Sequence, residues 1–260
     1  MQTHPYTGGR VDPLYRGLFG VPFLQTTAVT RLLRQLLLFF SYKPRRLKHF
    51  YYCMSTVKLI HYTQDGDDLV SYMARVSNPD NQNNTETSAK LIKYLIKHQH
   101  WSPFEMVSMC VEINTTRSIA AQILRHRSFS FQEFSQRYAG VTGKPDTLSV
   151  RRQDHKNRQN SIDDIDPYTK QDFQIKASQV YDMAYKLYDE MLAAGVAKEC
   201  AREVLPLSTP TRLYMHGTLR SWLHYTGLRC ANGTQIEHQQ IAQQCRELIE
   251  QCFPQVYAAL

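Results

Sequence analysis

A helix-dominant α/β fold, in one domain with a mixed or antiparallel sheet, follows from three observations. Val107, Met109, Val111 and Ile113 alternate with Ser108, Cys110 and Glu112, the period-two pattern of a strand with one face more polar. Apolar residues recur at helical spacing through several longer stretches, most clearly beyond residue 177. The chain holds no Gly-x-Gly-x-x-Gly and no Gly-x-x-x-x-Gly-Lys, so neither a Rossmann crevice nor a P-loop is expected.

The elements follow in order. Residues 57–63 read as an edge strand and 67–75 as a short helix. Residues 78–85, rich in Asn and Pro, read as a loop. Thr87 is placed to cap the next helix, whose inner face carries Leu91, Ile92, Leu95 and Ile96. That helix ends near His98 to His100, because Pro103 prevents continuation. After the 107–113 strand, Ile119, Ala120, Ile123 and Leu124 mark a helix carrying Arg125-His126-Arg127 at its C-terminal end. The polar stretch 151–166 reads as an exposed excursion. Ala177, Val180, Tyr181, Ala184, Leu187, Tyr188, Met191 and Leu192 form a stripe expected in the core, with Gly195 as the stop. Further helices are expected at 198–204, 213–227 and 235–252. Apolar faces beyond those needed for a core suit a subunit interface.

The net charge of +8 invites a nucleic-acid reading. Its distribution argues otherwise. Residues 1–53 hold eight Lys and Arg against Asp12, leaving 23 basic and 22 acidic residues for the nearly neutral body at 54–260. The first segment is expected to be poorly ordered and to lie outside that body. Its apolar run Leu36 to Phe40 is far shorter than the ~20 residues that span a bilayer. It reads as sequence upstream of a natural start at Met54, with an organelle transit segment as the minor reading; the expected location is cytoplasmic. Six cysteines without a Cys-x-x-Cys pair fit scattered reduced thiols, and no zinc ribbon is indicated.

Chemistry concentrates in residues 125–138. Arg125-His126-Arg127 is followed, after seven residues, by Ser135, with Gln136, Arg137 and Tyr138 behind. Guanidinium forks suit phosphate or carboxylate oxygens. The plain alternative is a solvated helix end whose cations complement the macrodipole.

This arrangement resembles the signature of the flavin-dependent thymidylate synthases: Arg-His-Arg, seven variable residues, then Ser. The likeness runs from about Met54 to about Cys252. It includes Ala74-Arg75-Val76-Ser77, the stretch Lys97 to Glu105, Ala201-Arg202-Glu203-Val204-Leu205-Pro206-Leu207, Leu219-Arg220-Ser221-Trp222 and Leu228-Arg229. The resemblance implies a catalytic domain that forms a homotetramer with FAD lodged between subunits. It implies methylation of dUMP to dTMP, with methylenetetrahydrofolate as carbon donor and NADPH as reductant. Roles carried over by position give Gln122, Arg125, Glu133, Ser135, Gln136, Arg137 and Arg229 to dUMP, and Arg202 to dUMP from another subunit. Ser77, His100, Ser102, Arg125, His126, Arg127, Glu133, Thr218, Leu219, Arg220 and His224 would meet FAD. Arg229 would polarise the uracil edge. Thr218 and His224 depart from the Asn found in relatives.

His98 and His100 look like a metal pair, yet no third ligand stands at recognisable spacing, so no metal is expected. Ser135 reads as a substrate-binding hydroxyl, since no base is placed beside it by sequence. A second function class is a nucleotide- or RNA-binding module stacking bases on Phe129 and Phe131; the near-neutral body counts against it.

Overall fold

The structure, a computed structural model, describes residues 55–260. The expectations for residues 1–53 lie outside them. A four-stranded antiparallel sheet has the order β1 (Thr56–Tyr62), β2 (Ser108–Thr116), β6 (Pro210–Thr218), β3 (Ser130–Glu133). The expected edge strand β1 is an edge. The mixed alternative for the sheet is set aside, because every pairing in it is antiparallel. A small hairpin of β4 (Arg152–Gln153) and β5 (Ser161–Ile162) stands apart inside the polar excursion.

Met109, Val111 and Ile113 of β2 face the same way as Leu213 and Met215 of β6, and all five are buried. Three helices cover that face: α3 (Arg117–Ile123), α6 (Leu219–Arg229) and α7 (Ile236–Cys252). The opposite face is polar, with Tyr214 donating to Glu112 (3.0 Å) and Arg212 to Asn114 (3.1 Å) across the β2–β6 ladder. Helices α1 (Gly66–Ala74) and α2 (Ser88–Lys97) connect β1 to β2, and α8 (Pro254–Ala258) closes the chain against them. Asp67 of α1 accepts the backbone N–H groups of Gln255 and Val256 at the start of α8.

Four expectations are corrected. Thr87 stands at the α2 N-cap without a side-chain cap bond, because its hydroxyl accepts from Arg75 instead (2.8 Å). The same helix runs to Lys97 with His98 at its C-cap, close to the expected end, and the chain leaves it through Gln99, whose φ of 57° is left-handed. Residues 210–218 form β6 rather than the start of a helix, since Thr211, Leu213, Met215 and Gly217 alternate inward. Helix α4 (Pro167–Ala193) begins ten residues earlier than the stripe suggested, capped by Asp166 and opened by Pro167. Its stripe is mostly not core: Tyr188 is buried, but Val180 is 55% and Leu187 45% exposed, and the other members are only partly covered. The helix leans on α5 (Lys198–Ala201), the 3-10 turn Arg202–Val204 and the loop of residues 141–148, where Val141 N donates to Tyr188 and Gln174 to Leu148 O, and these leave much of its 27 residues uncovered.

Candidate functional site

The Arg125-His126-Arg127 segment lies in the turn just past α3, rather than on the helix itself. Thr116 caps α3 by accepting from Ile119 N. The turn is then pinned by Phe129, whose buried ring meets Trp222 edge-on (4.8 Å) and Tyr225 (5.8 Å). Gly217 of β6 makes this possible, since a Cβ there would collide with the Phe129 ring. Phe129 leads directly into β3, a strand for which the sequence reading assigned no element.

His126 is half-buried against Tyr225, with ring centroids 4.9 Å apart and nearly perpendicular. Its Nε2 accepts from Arg229 Nε at 2.9 Å. The imidazole is therefore neutral with its proton on Nδ1. Burial, the Arg229 charge and the His224 charge together lower its pKa to about 4. Arg229 is bound through Nε, and its two terminal nitrogens have no hydrogen-bond partner among the described residues. The side chains of Arg125 and Arg127 are exposed and have neither hydrogen bond nor ion pair among the described residues.

Beside this corner opens a cavity of about 640 Å³, lined by Trp101, Arg220, Leu223, His224 and Leu228, among others. Ser128 also lines it, and its carbonyl accepts from Ser221 Oγ (3.2 Å), so the motif turn forms part of the wall. His100 and Ser102 are the chain neighbours of Trp101 and are exposed. Thr218 caps α6 and donates to Glu105 (2.7 Å), which Arg220 also holds (2.9 Å). Leu219 is fully buried, with its N–H on Val107 O. Ser77 is exposed beyond α1 and makes no contact with the corner.

The remaining predicted residues gather elsewhere. Glu133 accepts from Arg117 (2.5 Å) and Thr211 (2.9 Å). Ser135 is exposed and no base bonds its hydroxyl among the described residues. Gln136 is buried, and its Nε2 lacks a partner among the described residues. Arg137 pairs with Glu199 (2.8 Å) one turn before Arg202, which itself lies 3.6 Å from Glu203.

Comparison with known proteins decides the family. The family model described as thymidylate synthase complementing protein matches residues 58–255. A flavin-dependent thymidylate synthase of Synechocystis sp. is 53% identical over 194 residues, 75% of this chain and 89% of the relative. The chain belongs to the flavin-dependent thymidylate synthase family. A relative from Paramecium bursaria Chlorella virus 1, named probable flavin-dependent thymidylate synthase, is 49% identical over 79% of this chain and 95% of its own. The crystal structure of a UMP/dUMP methylase from Streptomyces cacaoi, bound with 5-Br dUMP, superposes with a TM-score of 0.71 at 28% identity, covering 79% of this chain and 93% of that one.

For a flavin-dependent family the cavity is well suited. Trp101, Leu223 and Leu228 offer apolar walls to a flat ring, and Arg220 and His224 offer polar groups at its edges. Nothing fills the space beside Gly227, on the exposed side of α6.

Sequence reasoning missed His238 and Tyr225. His238 is completely buried in α7 and bonds Tyr225 and Gln122. One signal was present: His238 stands on the stripe of Ala242, Cys245 and Ile249, where an imidazole among apolar residues needs partners. Among the described residues no helix is long and apolar enough to cross a membrane, and Cys110, Cys200, Cys230, Cys245 and Cys252 are free.

Proposed function

We propose that this enzyme methylates the uracil ring of dUMP at C5 to give dTMP, with methylenetetrahydrofolate as carbon donor, NADPH as reductant and FAD as its flavin. One observation carries the reading: the Arg229 guanidinium is tethered to a neutral imidazole through Nε, and neither terminal nitrogen has an acceptor among the described residues. A fixed cation against the pyrimidine edge favours loss of the N3 proton and makes C5 more nucleophilic. His126 holds that cation in place without adding a second charge, because its Nε2 is an acceptor.

The unpaired forks of Arg125 and Arg127 suit the anionic parts of nucleotide and cofactor. Arg137, Ser135, Gln136 and the Arg202 of another subunit would take the nucleotide. The homotetramer is supported by the exposed apolar side of α4, which a second copy would cover. Trp101, Arg220, Leu223 and His224 would hold the flavin ring, with Ser77, His100, Ser102, Glu133, Thr218 and Leu219 around the rest of FAD. These residues would hold FAD, which would supply hydride-transfer chemistry there when bound.

The test is spectroscopic and chemical. Purified protein should show flavin absorbance, bleach with NADPH when dUMP is present, and form dTMP once methylenetetrahydrofolate is added. Colourless protein that gains no flavin on incubation, yet shifts single-stranded RNA, would favour the binding module instead.

A further inference from the structure

A row of hydrogen bonds runs behind the motif turn, and its direction is determined from one end. Glu237 can only accept, and Arg151 of the excursion clamps it through two bonds (2.7 and 2.9 Å). Gln235 must therefore donate from Nε2 to Glu237 (2.9 Å), which turns its Oε1 toward Gln122. Gln122 Nε2 donates to that oxygen (2.6 Å), which turns the Gln122 Oε1 inward to His238 Nδ1 (3.4 Å). His238 then carries its proton on Nδ1, and its Nε2 accepts from the Tyr225 hydroxyl (3.1 Å). Every bond points the same way, and no amide in the row can flip without leaving two donors or two acceptors face to face.

We propose that His238 is a positioning residue for nucleotide binding: together with Gln235, Glu237 and Arg151 it locks the Gln122 amide in one orientation, so that one Nε2 hydrogen is presented at a fixed place beside Arg125 and His126. This rests on the reading of Gln122 as a dUMP contact. His238 is fully enclosed and cannot touch a ligand itself. Its second bond, to Tyr225, also steadies the aromatic ring on which His126 rests. Burial, helped by the Arg229 charge, lowers the His238 pKa to about 3, which keeps the neutral tautomer the row requires.

The experiment uses flavin-loaded enzyme and measures KM and kcat for dUMP and the Kd of dUMP by calorimetry. His238→Leu should raise KM and Kd about tenfold, the cost of one misplaced hydrogen bond, and lower kcat by no more than about threefold. His238→Asn, whose amide can still donate to Gln122, should recover KM to within about threefold of wild type. Should His238→Leu fail to fold, Glu237→Gln replaces the obligatory acceptor and should raise Kd by a similar factor at full flavin content. Unchanged dUMP affinity in a folded His238→Leu or Glu237→Gln, or an Asn variant no better than Leu, would overturn the proposal. Wild-type enzyme that binds no dUMP would instead overturn the functional reading beneath it.

Discussion

The two ends of the motif are built differently. At Arg125 to Arg127 the turn is pinned by Phe129, the imidazole is buried and neutral, and a row of amides stands behind it. At the other end Ser135 and Arg137 lie at the surface on either side of a buried Gln136, and among the described residues Arg137 holds only Glu199, in an exposed pair. The first corner is pre-organised within one chain. The second has its cations in place and lacks the surroundings that would give them strength, since exposed ion pairs contribute little. On the proposed function, the contrast means that one chain would supply the chemistry of the pyrimidine edge, and that a ligand or a second copy would complete the opposite end.

The largest test strikes the organised corner. Arg229→Ala should lower dTMP formation at least about 100-fold while flavin is retained, because a fixed donor at the reacting edge is removed. Wild-type turnover in that variant would take Arg229 out of the mechanism. The incomplete end is tested through assembly: Val180→Asp with Met183→Asp should weaken self-association at least about 30-fold, since each carboxylate would be buried unpaired. Sedimentation should show monomers with activity lost in parallel; an intact tetramer would mean another face makes the contact.

A smaller effect separates the corners by pH. His126 and His238 have folded-state pKa values of about 4 and about 3, below the ordinary 6.5. The unfolded chain therefore binds protons in that window and the folded chain does not. Stability is complete above pH 6.5 and falls on acidification toward 4. His238→Asn should flatten this slope in thermal unfolding; an unaltered slope would place the proton uptake elsewhere. The smallest change is expected at the exposed end, where Glu199→Gln should shift unfolding free energy by less than about 1 kcal/mol. A larger loss would show that the Arg137 pair is already organised.

Legibility in the sequence followed the range of the interactions. The β2 alternation and the Ile92 and Leu95 face of α2 were readable because their periods are local. Strand β6 was read as helix because Leu213, Leu219, Trp222 and Leu223 join across the strand–helix boundary into one apolar run, which only pairing with β2 divides. The α4 stripe showed helix correctly and burial wrongly, since periodicity cannot say which surface will cover it. In the site, the motif and Arg229 were legible through family likeness. Their contact at 2.9 Å was not, nor was His238, because both depend on α3, α6 and α7 meeting over the sheet.

Gly217 has a consequence for how high the positive charge stands above the cavity. Because that strand position carries no side chain, the Phe129 ring sinks to the strand's backbone and draws the motif turn down with it. An alanine would lift the ring by roughly the thickness of a methyl group, and two guanidiniums would rise with it. The altitude of the cations is thus referenced to the sheet, and a hydrogen atom on β6 sets the clearance available to whatever lies beneath them.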